Sequence, residues 1–211
     1  MRTSVRLAGT TGAVVLSLSL AACGGSSSST ASMPGMNNPA SAPATSPATE
    51  TSTDARHNDA DISFARTMIA HHQDAIAMAK LAPNRASSPH VKDLAARIET
   101  AQSPEITQMT SWLTAWGQPV TQDSMSATGM GSGGAMGMMS PTQMKQLKAA
   151  TGKDFDRMFL QMMTIHHKGA IAMSTSEQGA GSNPPAIALA TSIQTSQSAE
   201  VTQMSTMLQN L

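Results

Sequence analysis

Tyrosine is absent from this chain of 211 residues, whose aromatic complement is three Phe and two Trp. That shortage excludes a core of stacked rings and leaves burial to Ala, Leu, Ile and 18 Met. Such side chains suit closely packed helices, and Met adds a polarisable thioether to its role as gap filler. Cysteine occurs once, at Cys23, so no disulfide can form within the chain. Charge is scarce and balanced, with 13 basic and 13 acidic residues, which gives no basic face for nucleic acid or an anionic membrane surface. No glycine loop follows a strand pattern to cradle a phosphate, and no residue trio has the make-up of a nucleophilic site, so the chain does not read as an enzyme.

Long apolar runs are also missing, apart from Leu7 to Leu20. That run is shorter than the roughly 20 residues a membrane-spanning helix needs. Arg2 and Arg6 precede it and Leu20-Ala21-Ala22-Cys23 closes it, the pattern of a secretory signal with a lipobox. Residues 1–22 are therefore expected to be removed as a signal peptide, leaving Cys23 as an acylated N-terminus that anchors an extracytoplasmic lipoprotein to the cell membrane. The alternative is an ordinary signal peptide with an incidental cysteine. Loss of Arg2 and Arg6 takes the basic residues from 13 to 11 against 13 acidic ones, a net charge of about −2. Residues 23–57 are dominated by Ser, Thr, Ala, Pro and Gly, which cannot bury enough surface to fold. They read as a tether with a typical span of roughly 30 Å as a flexible coil.

What the chain has in excess is a repeat. Met68-Ile-Ala-His71-His72-Gln-Asp-Ala75-Ile76-Ala77-Met78 recurs as Met163-Thr-Ile-His166-His167-Lys-Gly-Ala170-Ile171-Ala172-Met173, an ungapped displacement of 95 residues that uses four of the six histidines. The same displacement pairs Asp59 and Asp61 with Asp154 and Asp156, and Phe64 with Phe159. It also pairs Gln102, Ser103, Glu105 and Met109 with Gln197, Ser198, Glu200 and Met204, so a whole two-helix unit is duplicated.

Apolar residues from Asp61 to Ala79 recur at three- and four-residue steps, which predicts a helix over 59–82 with Asn58 or Asp59 as its cap. Ser88-Pro89 opens a second helix that stops near Gly117, with Pro104 expected to kink or split it. Ser140-Pro141-Thr142-Gln143 resembles a capping box for a short helix through Ala150, ended by Gly152. Two more helices are predicted over 154–177 and 185–209. The domain over 58–211 is thus hairpin 58–117, a Met- and Gly-rich connection with a short helix over 118–152, and hairpin 153–211. Neither hairpin can bury its apolar stripe alone, so an all-α four-helix bundle with a pseudo-twofold axis is expected.

At 100° per residue, Met68, His71 and His72 share the inward side of the first helix. Met68 lies three and four residues before the pair, where a thioether and an imidazole can share an ion, and Met78 sits a heptad beyond His71. The duplicated set Met68, His71, His72, Met78 and Met163, His166, His167, Met173 is a soft to borderline donor set, which fits Cu(I) best, Cu(II) next and hard ions poorly. Glu105, Met109, Glu200 and Met204 are further candidates from the partner helices. If residues 82 and 89 face each other, His72 stands level with Ile98 and Glu99, Glu105 lies nearer Met68, and Met109 falls opposite Asp61. Met125, Met130, Met136, Met138, Met139 and Met144, with Met33 and Met36 in the tether, form a second thioether-rich feature that reads as either a Cu(I) lure or a compositional accident. The plain alternative for the paired histidines is hydrogen-bonded packing. His57 and His90 lack repeat partners and read as exposed polar residues at helix starts, and Trp112 with Trp116 as the closure of the bundle end.

Phe64 to Ala79, Gln102 to Leu113, and Gly152 through Phe155, Asp156, Phe159, Met163, His166 and His167 to Ala170 closely resemble the bacterial "domain of unknown function 305" family over about residues 57–211. The resemblance implies a ferritin-like bundle, export, and metal binding at the duplicated Met-x-x-His-His positions, because some members are periplasmic copper-binding proteins linked to copper tolerance. The leading expectation is an extracytoplasmic lipoprotein that buffers or sequesters copper, with a copper-accepting protein as partner. A ferritin-like di-metal oxidase using Asp61, Glu105, Asp156 and Glu200 is the enzymatic alternative, weakened by the absence of Glu-x-x-His pairs. A structural or adaptor module of the envelope is the third.

Overall fold

The structure, a computed structural model, describes residues 56–120 and 136–211. Its helices are α1 (Asp59–Ala79), α2 (Ala82–Arg85), α3 (Pro89–Ala115), α4 (Pro141–Ala149), α5 (Gly152–Ala180) and α6 (Pro184–Gln209). α1 packs on α3 and α5 on α6, and α1 against α5 joins the two hairpins into an all-α, ferritin-like four-helix bundle. The expected signal peptide, Cys23, the expected tether through residue 55 with Met33 and Met36, and Met125 and Met130 lie outside the described residues. Among the described residues no helix is long and apolar enough to cross a membrane.

Local signals act where the side chains predict. Asn58 caps α1 by accepting from the Ala60 and Asp61 amides, while Asp61 accepts from the Asn58 amide at 2.6 Å. Ser140 and Gln143 form the capping box of α4, and Asn183 caps α6 ahead of Pro184. Three expectations are corrected. α1 ends at Ala79 and the short α2 follows, so the hairpin turns later than assumed. α5 begins at Gly152, which opens that helix and does not end α4. α3 is not split at Pro104, because Pro104 and Thr100, whose carbonyl loses its amide partner, are both exposed and water can take the missing bond.

The duplicated aspartates lock the bundle reciprocally. Asp61 of α1 accepts from the Ser182 and Asn183 amides at the α5–α6 turn, at 3.1 and 2.9 Å. Its twin Asp156 of α5 accepts from the Ser87 and Ser88 amides at the α2–α3 turn, at 3.1 and 2.9 Å. Each hairpin therefore satisfies the turn of the other. Both carboxylates are fully buried, and amide bonds to a charged acceptor are about twice as strong as neutral ones.

Two apolar cores fill opposite ends of the bundle. One gathers Met78, Leu94, Ile98, Phe155, Phe159 and Met163; the other gathers Phe64, Met68, Met109, Leu113, Met173 and Ile193. Between them in the chain order of every long helix lies a polar layer: His71 and His72, Gln102, His166 and His167, and Gln197, all buried.

Candidate metal centre

The histidine pairs divide the work of the layer. His71 and His166, one from each hairpin, meet in a tilted contact with ring centroids 3.6 Å apart and planes 33° apart. His72 and His167 each turn to the partner helix of their own hairpin. His72 Nε2 donates to Glu105 Oε2 at 2.7 Å, and His167 Nε2 to Glu200 Oε2 at 2.6 Å, the same bond twice. The assumed facing of α1 and α3 is corrected here: His72 meets Glu105 and Lys80 pairs with Glu99 at 3.7 Å, because α2 lengthens the connection and shifts the register.

The inner pair is covered by the segment that enters α4. The Met136 carbonyl accepts from His71 Nε2 at 3.0 Å, and the Met139 amide donates to Asp74 Oδ2 at 2.9 Å. Asp74 in turn stands 3.5 Å from His166 Nε2, too long for a well-formed hydrogen bond. Gly169, at the repeat position of Asp74, makes this cover fit: a Cβ there would stand 1.9 Å from the Met136 carbonyl oxygen. Gly137 follows with φ 74°, a conformation that favours glycine, close over the backbone of Ile165 and His166. The strap is thus hydrogen-bonded to the first half through His71 and Asp74 and lies close over the second at Gly169 and His166, and Asp74 against Gly169 is where the halves differ beneath it.

Electrostatics keep the inner pair neutral. Burial first, then His166 and His72 nearby, push His71 down to about 2, against the opposing hydrogen bond to Met136. Burial also lowers His166, with Asp74 working against the shift. Burial raises Asp74, but His166 and the Met139 amide outweigh it and hold the carboxyl below its ordinary value.

Carbonyl and carboxylate oxygens only accept, so His71, His72 and His167 each carry their proton on Nε2. In a neutral ring the lone pair is then on Nδ1. The Nδ1 atoms of all four histidines are buried and have no hydrogen-bond partner. Gln102 and Gln197 add two buried side-chain oxygens without partners in the same layer. Histidines that ligate metals characteristically donate their other N–H to a carboxylate or carbonyl, which is the arrangement at three of these rings. Among the described residues, however, no three His, Cys, Asp or Glu side chains group closely enough to hold an ion by themselves. A complete shell would need thioether sulfur.

The methionines are unevenly placed for that task. Met68 and Met163 sit fully buried on the same helices as the pairs they precede and, like Met78, Met109 and Met204, are built into the two cores. Met173 is nearly buried, Met136 is exposed at the strap, and Met138 and Met139 are half-buried beside it. Glu105 and Glu200 are positioned as hydrogen-bond acceptors of His72 and His167. Asp61 and Asp156 are bound to turns at the bundle ends, which removes two of the four carboxylates that a di-metal oxidase would need. Asp74 and the backbone of Met136 were not singled out from sequence; the mismatch of Asp74 with Gly169 inside an otherwise faithful repeat is the signal that marks them. His57 is half-buried and stacks on Trp116 at 4.6 Å, not exposed as expected, while His90 is exposed at the start of α3.

The fold and its buried histidine layer define a class of duplicated all-α bundle with a polar mid-section. The model of the family "Domain of unknown function (DUF305)" matches residues 61–208, and the chain belongs to that family. A DUF305 protein of Streptomyces coelicolor described as secreted is 32% identical, with a TM-score of 0.65 over 72% of this chain and 93% of that one. CopM in its Cu(II)-bound form is 36% identical, with a TM-score of 0.61 over 71% of this chain and 96% of that one. CopM in its Cu(I)-bound form is 34% identical, with a TM-score of 0.58 over the same 71% and 96%. No curated protein matches the chain.

Proposed function

We propose that the protein binds copper through its imidazole layer and serves to buffer or sequester the ion outside the cytoplasm, held to the membrane by an acylated Cys23. The observation that carries the reading is the set of four buried Nδ1 atoms without partners, three of them on rings whose Nε2–H is already engaged by oxygen. An unsatisfied buried acceptor costs about 1–3 kcal/mol, and a cation is the partner that relieves several at once. Similarity to CopM, crystallised with Cu(I), Cu(II) and silver, supports copper as that cation.

The ligands we assign are His71, His72, His166 and His167, with Met68, Met163, Met78 and Met173 as the sulfur donors of their respective helices. Imidazole with thioether favours Cu(I), and the imidazoles alone also accept Cu(II). Glu105 and Glu200 orient His72 and His167 and raise the basicity of the nitrogen left for metal. A copper-accepting protein would take the ion onward.

Titration of the protein with Cu(I) under reducing conditions tests this. The double change His71→Ala with His72→Ala is expected to remove about half of the tightly bound copper, one half of a duplicated site. Unchanged stoichiometry in that variant would show that the imidazoles only pack.

A further inference from the structure

The pseudo-twofold symmetry is broken outside the histidine layer in the packing around one of its duplicated residue pairs. Phe64 and Met173 on one side of the axis correspond to Phe159 and Met78 on the other. Around Phe159 and Met78 the space is filled: both are fully buried in a core that also takes Leu147 of α4. Around Phe64 and Met173 a cavity of about 170 Å³ stays open between α1 and α5, lined also by Thr67, Met136, Ser176 and Glu177.

The donors in this cavity lead inward. Met136 is 38% exposed, Met173 9% and Glu177 2%. Neither carboxyl oxygen of Glu177 has a hydrogen-bond donor as partner, and its neighbour is the carboxylate of Asp61. The second half has acquired this acid: the repeat position of Glu177 is Ala82, and that of Gly181 is Ala86. Gly181 makes room for it, since a Cβ there would stand 2.4 Å from Glu177 Oε1. A buried acid without donors is costly to keep in a mainly apolar wall, and a bound cation satisfies it.

We propose that this cavity is a second binding site for a soft monovalent cation, Cu(I) or Ag(I), held by the thioethers of Met136 and Met173 and the carboxyl of Glu177. Sulfur donors select soft ions, and the carboxyl of Glu177, releasing its proton as the ion binds, neutralises the single positive charge. The proposal takes its choice of ion from the copper reading and shares Met173 with it, but takes none of its ligands from the imidazoles. With Met136 in both the strap over His71 and the cavity, the site lies on a path from solvent towards the histidine layer.

The test is Ag(I) titration of the protein labelled with ¹³C at the methionine methyls, alone and in a variant with His71, His72, His166 and His167 changed to Ala. The Met136 and Met173 methyl resonances are expected to shift in both proteins. Met136→Leu should lose one equivalent of Ag(I), and Glu177→Gln should weaken that equivalent at least tenfold, with imidazole binding kept. Should the four-alanine variant not fold, the same shifts are read in the wild type, and Met136→Leu and Glu177→Gln decide. Methyl resonances that stay fixed while the imidazole signals respond would mean that water fills the cavity and would overturn this site alone. Absence of all Ag(I) and Cu(I) binding by the wild type would overturn both readings.

Discussion

At the scale of single residues, the asymmetry between Asp74 and Gly169 has the largest leverage on the histidine layer. The strap reaches His71 only because position 169 has no side chain. Gly169→Ala would drive a methyl group into the Met136 carbonyl, which must withdraw and release His71 Nε2. The expected result is faster hydrogen exchange at the Met139 amide together with faster copper uptake, since the inner pair is uncovered. Unaltered exchange would show that the strap adapts without leaving. Alanine would gain about 1 kcal/mol of helix propensity at this position, so the glycine serves the fit of the strap and not the stability of the helix.

At the scale of helices, Pro104 is the informative position. It sits inside α3 without breaking it, and its repeat counterpart is Ala199. Pro104→Ala restores one helical bond and is expected to stabilise the protein by about 1–3 kcal/mol, read from the urea midpoint. A lower midpoint would mean that the proline's shape is needed for packing. The helices themselves were largely legible in the sequence, because Asn58, Ser140, Asn183 and the prolines at 89, 141 and 184 act through neighbours a few residues away. The pairing of the hairpins was legible from the 95-residue repeat. The register of α1 against α3 was not, since it depends on a short α2 that no periodicity marks. The role of Glu105 followed that error: it was placed near Met68, whereas one turn of difference puts it on His72. The roles of Asp61 and Asp156 were hidden for another reason, because their partners are backbone amides of a distant turn and amides carry no sequence label.

At the scale of the whole molecule, buried titratable groups set a stability optimum for the metal-free protein. His71 falls from 6.5 to about 2 on folding, and His166 also falls, so the unfolded chain binds protons that the folded one refuses. Their contribution is complete above pH 6.5 and is lost as pH drops below it. Asp61 and Asp74, held below their ordinary 3.8, add to the loss at still lower pH. Glu177 has the opposite sign: burial first, then the adjacent Asp61 carboxylate, raise it from 4.5 to about 8. Its contribution is complete below pH 4.5 and fades as pH rises towards 8. Two imidazoles outweigh one carboxyl between pH 4.5 and 6.5, and Glu177 acts alone above that, so Tm should peak near pH 6.5. Glu177→Gln should abolish the decline from pH 6.5 to 8 while leaving the acid limb. A variant that keeps the alkaline decline would remove Glu177 as its cause.

Asp61 binds a turn of the opposite hairpin, and Asp156 returns the favour. A solitary half of this protein would therefore own a key and a lock that cannot meet, since both lie in the same rigid unit. Two such halves would open and close for each other, whether joined by a peptide connection or free in solution. Fusion adds proximity to that exchange; the recognition itself belongs to the unfused unit.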